Sequence, residues 1–167
     1  MAARKLQLEE FLPYRLSVLS NVVSSAIAAT YSSRFGLSIP EWRTLAVLAV
    51  SPDLSAAQVA ERTAMDKVAV SRAVSSLLRA RRIERRFASA DRRRSMLRLS
   101  ADGKSVYERV VPLAVAYEQQ LLAPLSAADR RALDRMLQVL AGRAAALAAK
   151  GKQHESMCAT VPALPFP

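Results

Sequence analysis

The features that most constrain the fold are three helix starts, each led by a serine with an acid or amide three residues later. When serine caps a helix and Glu or Gln occupies the third helical position, each side chain can accept a hydrogen bond from the other residue's backbone N–H group. An acid in the first turn also interacts favourably with the helix dipole. Pro40 lies in the first turn of the first helix, where its missing N–H costs nothing. The pairs are Ser38 with Glu41, Ser55 with Gln58, and Ser126 with Asp129. They predict helices that begin at these three points, the first of them running to about Val50.

Two longer helices are predicted on either side of this region. One spans 8–33, bent or begun at Pro13, and the other spans 101–122, with a kink at Pro112. Alanine is abundant and there are only 4 glycines in 167 residues, so helix is expected to dominate. After Ser126 an apolar stripe follows helical spacing, and it consists of Leu133, Met136, Leu137 and Leu140. Such long apolar helices are expected to pack on each other or on a second subunit.

The middle of the chain predicts a β-hairpin. Residues 83–87 (IERRF) and 95–100 (SMLRLS) are short and bounded, and a link over 88–94 joins them. Before them stand the short helix from Ser55, the turn "TAM" and a helix that opens at Asp66. This order is typical of a winged helix-turn-helix, so the predicted fold is mainly α with a small β-hairpin wing.

The helix after Asp66 has two contrasting faces. One is apolar, formed by Val70, Ala73, Val74, Leu77 and Leu78. The other has donors, hydroxyls and no acid, and consists of Lys67, Val68, Ser71, Arg72, Ser75 and Arg79. The second face suits a major groove, where Arg and Ser bond base edges or phosphates. A solvated amphipathic face is the alternative.

The charge of the hairpin favours a polyanionic partner. Nine arginines lie between Arg79 and Arg98, against Glu84 and Asp91, and the whole chain carries a formal charge of +11. A solvated face usually mixes signs, whereas this segment is dominated by arginine. Arginine fits both phosphate and a narrow minor groove. Helix and hairpin together therefore predict binding to double-stranded DNA.

The segments "LSIPEWRTLAVLA", "LSAAQVAERTAMDKVAVSRAVSSLLRARRIERR" and "ADRRRSMLRLSADGKSVYERV" resemble MarR-type transcriptional regulators over about 37–110. The resemblance implies a homodimer that binds a pseudo-palindromic operator. It implies a dimerisation helix in 1–36, the winged DNA-binding region in 37–100, further dimerisation helices in 101–149 and an extended tail in 150–167. In the hairpin it implies that Asp91 holds a neighbouring arginine and that Arg92, Arg93 or both enter the minor groove. Arg94 extends the motif and is expected to touch phosphate.

Regulators of this type commonly release DNA when a small molecule binds. Four residues combine aromatic surface with positive charge, namely Tyr14, Arg15, Trp42 and Arg43, which suits an aromatic carboxylate or its coenzyme A thioester. The stretches "LPYRLSVLSN" and "FGLSIPEWR" are similar to members that respond to hydroxycinnamoyl-CoA esters. The alternative is that Tyr14 and Trp42 belong to the core.

Other classes of function find little support in the sequence. One histidine, no phosphate-binding glycine loop and no paired carboxylates argue against an enzyme. His154 and Cys158 lack further ligands for a metal site, no cofactor is expected, and no apolar run is long enough to span a membrane. We therefore expect a cytoplasmic, ligand-responsive repressor. One alternative is an architectural nucleic-acid-binding protein that uses charge without reading sequence. Another is an interaction module or small enzyme whose basic hairpin binds an acidic protein.

Overall fold

The computed structural model describes residues 6–88 and 91–158, with side chains for 6–86 and 95–150. Its packing divides the chain into two compact units, Met1–Glu118 and Gln119–Pro167. Within the described residues no helix is both long and apolar enough to cross a membrane.

The N-terminal helix begins at the predicted proline. A short 3-10 turn, Leu8–Glu10, precedes α1, Leu12–Phe35, which has Pro13 in its first turn. Gly36 ends α1 with φ 60°, a left-handed conformation that glycine adopts without strain. The prediction of a helix over 8–33 is thus confirmed, with its start refined to Leu12.

Helices α2 (Ile39–Val50) and α3 (Ala56–Thr63) both begin with the predicted capping box. In α2 the Ser38 N–H and hydroxyl donate to the Glu41 carboxylate over 2.7 and 2.6 Å. In α3 the corresponding bonds from Ser55 to the Gln58 amide oxygen measure 2.9 and 3.0 Å. Both predicted starts are confirmed.

Helix α4, Lys67–Arg79, begins at Asp66 as predicted. The Asp66 carboxylate accepts bonds from the N–H groups of Val68 and Ala69 over 2.7 and 3.0 Å. Ala64 adopts φ 51° between α3 and α4, which makes the tight turn of a helix-turn-helix.

Strands β1 (Ile83–Ala88) and β2 (Asp91–Leu99) form an antiparallel hairpin. Ile83 lies opposite Leu99 and Phe87 opposite Ser95, and the register then shifts so that Ala88 pairs with Asp91. The predicted seven-residue link over 88–94 was too long, because the strand pairing continues past a bulge to Asp91. The sequence signal failed there since consecutive arginines do not show the alternation of a half-buried strand.

A single core lies between α1, the helix-turn-helix and the hairpin. Its largest fully buried side chains include Tyr31, Leu45, Leu48, Leu77 and Leu97. The apolar face of α4 joins this core through Val70, Ala73, Val74 and Leu77, each at most 4% exposed. The face predicted to be buried is therefore the buried one, with Leu78 packed at its edge.

Helix α5, Ala101–Leu122, follows the hairpin and continues through Pro112. Its start depends on Gly103, where an added Cβ would lie 1.8 Å from the carbonyl oxygen of Arg82. The same oxygen accepts a bond from the Ser100 N–H over 3.1 Å. Backbone contact between the α4–β1 corner and α5 therefore requires glycine at this position.

In the second unit, α6 spans Ala127–Cys158. Ser126 and Asp129 exchange bonds of 2.6 and 3.2 Å at its start, so the predicted cap is confirmed. The prediction of an extended tail from 150 was wrong as far as Cys158, because the helix continues, and 159–167 lie outside the described residues. The three late prolines suggested an extended segment, but Pro162 is the first of them and gives no reason for the helix to end near 150.

Candidate nucleic-acid interface

The outward face of α4 is a continuous donor-rich surface. All six residues assigned to it from the sequence are exposed to solvent, namely Lys67, Val68, Ser71, Arg72, Ser75 and Arg79. Asp66, the acid at the start of this helix, has its carboxylate engaged by the backbone of the first turn. Its negative charge thus serves as the helix cap, and no acid stands among the six residues.

Four of these residues share one surface depression of about 500 Å³. Its polar lining consists of Ser71, Arg72, Ser75 and Arg79, with Leu78 as the apolar part. The helix from Lys67 to Arg79 is about 18 Å long, and an α-helix of this kind fits the major groove of B-DNA, which is about 12 Å wide. The core side of α4 is fixed by its buried residues, so the donors are presented from a rigid base.

Helix α2 packs against α4, and its Glu41 lies beside α4 residues. Only 9% of Glu41 is exposed, and burial alone would raise the pKa of its carboxyl. Hydrogen bonds from Ser38 and Ser76 and the charge of Arg82 outweigh burial and lower that pKa below its ordinary value. Ser76 belongs to α4 and lines one surface depression with Glu41, so the ionised carboxylate faces α4 near the end that leads into the hairpin.

The hairpin places two arginines of β1, Arg85 and Arg86, on the surface. The backbone of Asp91, Arg92, Arg93 and Arg94 forms the start of β2, while their side chains lie outside the described residues. The expected brace by Asp91 and the groove contacts of the three arginines therefore stay predictions.

Two of the nine arginines have internal roles that the sequence did not reveal. Arg82 donates through Nη2 to the carbonyl oxygen of Phe35 at the end of α1. Arg98 forms a two-pronged ion pair with Asp53 in the α2–α3 loop. A count of charges cannot find such contacts, since the partners are 47 and 45 residues away in the chain.

The four residues predicted to bind an effector fall into two groups within one chain. Trp42 is half-buried, and its ring centroid lies 5.6 Å from that of Tyr31 and 5.7 Å from that of Tyr107. Arg43 donates to the Ser24 hydroxyl over 2.9 Å. Tyr14 and Arg15 are exposed in the first turns of α1, about 15 Å along that helix from Ser24. A single α1 and α2 therefore do not bring Tyr14 to Trp42.

Tyr31 and Tyr107, which the sequence reasoning missed, complete the aromatic cluster around Trp42. Burial raises the pKa of the Tyr31 hydroxyl, with the charge of Arg43 acting in the opposite direction. Both tyrosines lie at helical positions that resemble ordinary core positions, so the sequence alone offered no signal for them. Among the described side chains, no group of three His, Cys, Asp or Glu residues could hold a metal ion.

Comparisons with known proteins agree with this geometry. The sequence profile of the MarR family matches residues 35–94. The HTH-type transcriptional repressor Rv2887 of Mycobacterium tuberculosis is 30% identical over 131 residues, which cover 78% of this chain and 91% of that protein.

Solved structures show the same fold. A MarR/EmrR family transcriptional regulator from Acinetobacter sp. ADP1 matches with a TM-score of 0.77 at 27% identity, over 83% of this chain and 98% of that one. The PcaV regulator of Streptomyces coelicolor, in complex with its natural ligand, gives 0.71 at 25% identity, over 85% and 99%. Rv2887 in complex with p-aminosalicylic acid gives 0.64 at 29% identity, over 78% and 98%.

Proposed function

The chain belongs to the MarR family, and on this premise we propose that it is a sequence-specific DNA-binding repressor that works as a homodimer and is released by a small aromatic acid. The observation that carries the proposal is the outward face of α4, where six exposed residues include three cations and no acid. It is a regulator rather than an enzyme, and it acts in the cytoplasm on double-stranded DNA.

The residues of α4 divide by their position along the helix. The N-terminal part of a recognition helix contacts base edges, which assigns Lys67, Val68, Ser71 and Arg72 to base readout. Ser75 and Arg79 follow toward the end of the helix and contact phosphate. The hairpin tip, through Arg92 and Arg93, enters the adjacent minor groove, with Asp91 as brace and Arg94 on phosphate.

A homodimer is supported by apolar side chains that the single chain leaves exposed. On α1 these include Leu12, Leu16, Leu19 and Val22, and on α6 they include Met136, Leu137, Val139 and Leu140. Surface of this kind usually marks a protein–protein interface. Two copies place two α4 helices about 34–36 Å apart, which is one turn of a pseudo-palindromic operator.

The effector site is centred on Trp42 and Arg43. The cluster of Tyr31, Trp42 and Tyr107 offers aromatic surface, and Arg43 offers a cation to a carboxylate. Two relatives, PcaV and Rv2887, were solved with a natural ligand and with p-aminosalicylic acid, and the second of these ligands supports an aromatic acid as the effector. A CoA thioester of such an acid is the second candidate. Tyr14 and Arg15 take part only if a second subunit brings them to Trp42.

Salt dependence separates this function from charge-driven packaging of nucleic acid. Operator fragments are first enriched from genomic DNA, and binding to operator and scrambled DNA is then measured across a salt series. A specific regulator is expected to bind its operator at least about 10³-fold more tightly than random DNA. Equal affinities at every salt concentration would favour the architectural alternative.

Two substitutions locate the contacts. Arg93→Ala is expected to weaken binding to all sequences and to lower the salt slope by about one. Arg72→Ala is expected to cost about 1–3 kcal/mol on the operator and to relax preference at one base pair. An unchanged slope in Arg93→Ala would mean that the hairpin tip does not touch DNA.

A further inference from the structure

The base of the hairpin is fastened to the α2–α3 loop by a short backbone bridge. Leu97 N–H donates to the Leu54 carbonyl over 2.8 Å, and Leu54 N–H donates to the Leu97 carbonyl over 3.3 Å. Both residues are buried, with Leu54 5% exposed and Leu97 1% exposed. Leu54 therefore acts as a third, one-residue strand beside β2.

Directly beside this bridge, Arg98 holds Asp53. Its Nε and Nη2 donate to Oδ1 over 3.0 and 2.8 Å, and Nη2 also donates to Oδ2 over 2.6 Å. The hydrogen bond from Arg98 lowers the pKa of the Asp53 carboxyl, and the charges of Arg98 and Arg86 act in the same direction against a smaller effect of burial. On β1 the residue opposite Arg98 is Glu84, whose charge attracts the guanidinium less strongly than Asp53 does.

The backbone at residue 53 adopts a left-handed conformation that suits an aspartate. Asp53 has φ 62°, in the left-handed region that only Gly, Asn and Asp adopt with little cost. In the segment "SPDLS" the aspartate therefore occupies a left-handed position that most other residues would adopt at a higher cost.

Stability alone is a weak explanation for this pair. The two side chains are 31% and 42% exposed, and ion pairs this open to solvent add little to folding stability. A two-pronged bond between a guanidinium and a carboxylate does, however, fix orientation. Here it fixes the direction of β2 where the strand leaves the core.

Small rotations at this point have a large effect at the far end of the strand. Arg93 lies five residues from Arg98 along β2, or about 17 Å at 3.3 Å per residue. A rotation of about 10° at the base moves that end by about 3 Å, which is enough to break a hydrogen bond.

We propose that Asp53 and Arg98 are positioning residues that aim the hairpin at the minor groove, so that operator affinity depends on a pair that does not itself touch DNA. This role rests on the proposed function, because it presumes that the hairpin tip contacts DNA.

Substitution of Asp53 distinguishes positioning from a simple charge effect, because the two predict opposite changes in operator affinity. Asp53→Asn keeps a residue that tolerates φ 62° and removes one negative charge from a protein of net charge +11. Charge alone predicts tighter binding to DNA. Positioning predicts about 3–10-fold weaker binding to the operator, and equal or tighter binding would overturn the proposal.

Substitution of Arg98 tests whether that residue touches phosphate directly. Arg98→Lys keeps the charge but loses the planar fork that matches a carboxylate. If Arg98 positions the hairpin, Lys loses nearly as much affinity as Ala, and Asp53→Asn combined with Arg98→Ala is no worse than Arg98→Ala alone. If Lys restores the affinity, Arg98 is a phosphate contact and the proposal is wrong.

The role of the hairpin is tested by repeating Asp53→Asn in a background that carries Arg92→Ala and Arg93→Ala. Because the pair acts through the hairpin, its substitution is expected to cost nothing further there. An equal loss in both backgrounds contradicts positioning even if the hairpin binds DNA. If the background substitutions themselves leave affinity unchanged, the proposed contact of the hairpin fails instead. Thermal unfolding of each variant is measured alongside, and a loss of operator affinity that follows a loss of folded protein counts against positioning.

Discussion

The two units of this chain use the same signals to start helices and differ in what their helices bury. In Met1–Glu118, α2 and α3 begin with reciprocal serine caps and pack into one core. In Gln119–Pro167, α6 begins with an equivalent cap at Ser126, yet none of its residues over 127–150, where side chains are described, is buried. Cap chemistry is local, whereas burial depends on what the rest of the fold brings near.

This difference explains why α6 points to a partner. Its predicted apolar stripe exists, but Met136, Leu137 and Leu140 are 57%, 47% and 42% exposed. Helices gain most of their stability from packing an apolar face rather than from propensity. A second copy of the chain, as in the proposed homodimer, would cover this face.

A pair of leucine substitutions tests the contrast and carries the largest expected effect. Leu77→Ala in α4 removes a side chain with 0% exposure, so it should cost about 2–5 kcal/mol of unfolding free energy. Leu137→Ala in α6 should change the unfolding of dissociated chains by less than about 1 kcal/mol and should weaken dimerisation instead. Urea unfolding and analytical ultracentrifugation measure the two effects. Similar losses of folding stability in both variants would abolish the distinction between the units.

Two glycine-to-alanine substitutions, one in each unit, are expected to change folding stability in opposite directions. Gly103→Ala forces a methyl group against the Arg82 carbonyl and is expected to destabilise by about 1–3 kcal/mol. Gly142 in α6 has nothing within 4 Å of an added Cβ, so Gly142→Ala should stabilise the helix by about 1 kcal/mol through propensity. Melting temperatures and helical circular dichroism decide the signs. A loss of stability in Gly142→Ala would indicate that a partner helix approaches closely there.

Local features of this fold were accessible from the sequence. The caps at Ser38, Ser55, Asp66 and Ser126 depend on neighbours within three residues, so spacing revealed them. The buried face of α4 followed from helical periodicity in the same way. The proposed interface residues of α4 could be named because a face at fixed spacing needs no knowledge of the rest of the chain.

Contacts between distant segments were not accessible. Arg82 and Arg98 were counted with the arginines that face a polyanion, and both instead bind within the protein, to Phe35 and Asp53. Nothing in "SPDLS" distinguishes an aspartate that ends a helix from one that holds an arginine 45 residues later. The outcome depends on the packing of the loop against β2, which sequence spacing does not encode.

The smallest expected effect concerns Glu41, the charged residue that connects α2 to α4 inside the packed unit. Because hydrogen bonds and Arg82 hold its pKa below the ordinary value in the folded state, the unfolded chain binds the proton more readily. The resulting stability is complete at pH values above the pKa of the unfolded chain's carboxyl, and it is lost as the pH falls through the lower pKa of the folded state. Glu41→Gln should therefore lower the unfolding free energy at pH 7 by about 1 kcal/mol. This difference from the wild type should shrink as the pH falls below about 4, when measured by urea unfolding at several pH values.

Ser76→Ala provides the control for Glu41, because it removes the one lowering contact that comes from α4 and leaves the cap at Ser38 intact. It should lose part of the stability at pH 7, and adding it to Glu41→Gln should cost less than the sum of the two single changes. A difference between Glu41→Gln and the wild type that stays constant down to pH 3 would show that the carboxylate contributes by packing alone. If the two losses are additive, Glu41 only caps its own helix. Glu41 in the first unit and Asp129 in the second would then have the same role, and the two units would differ only in how far their helices are buried.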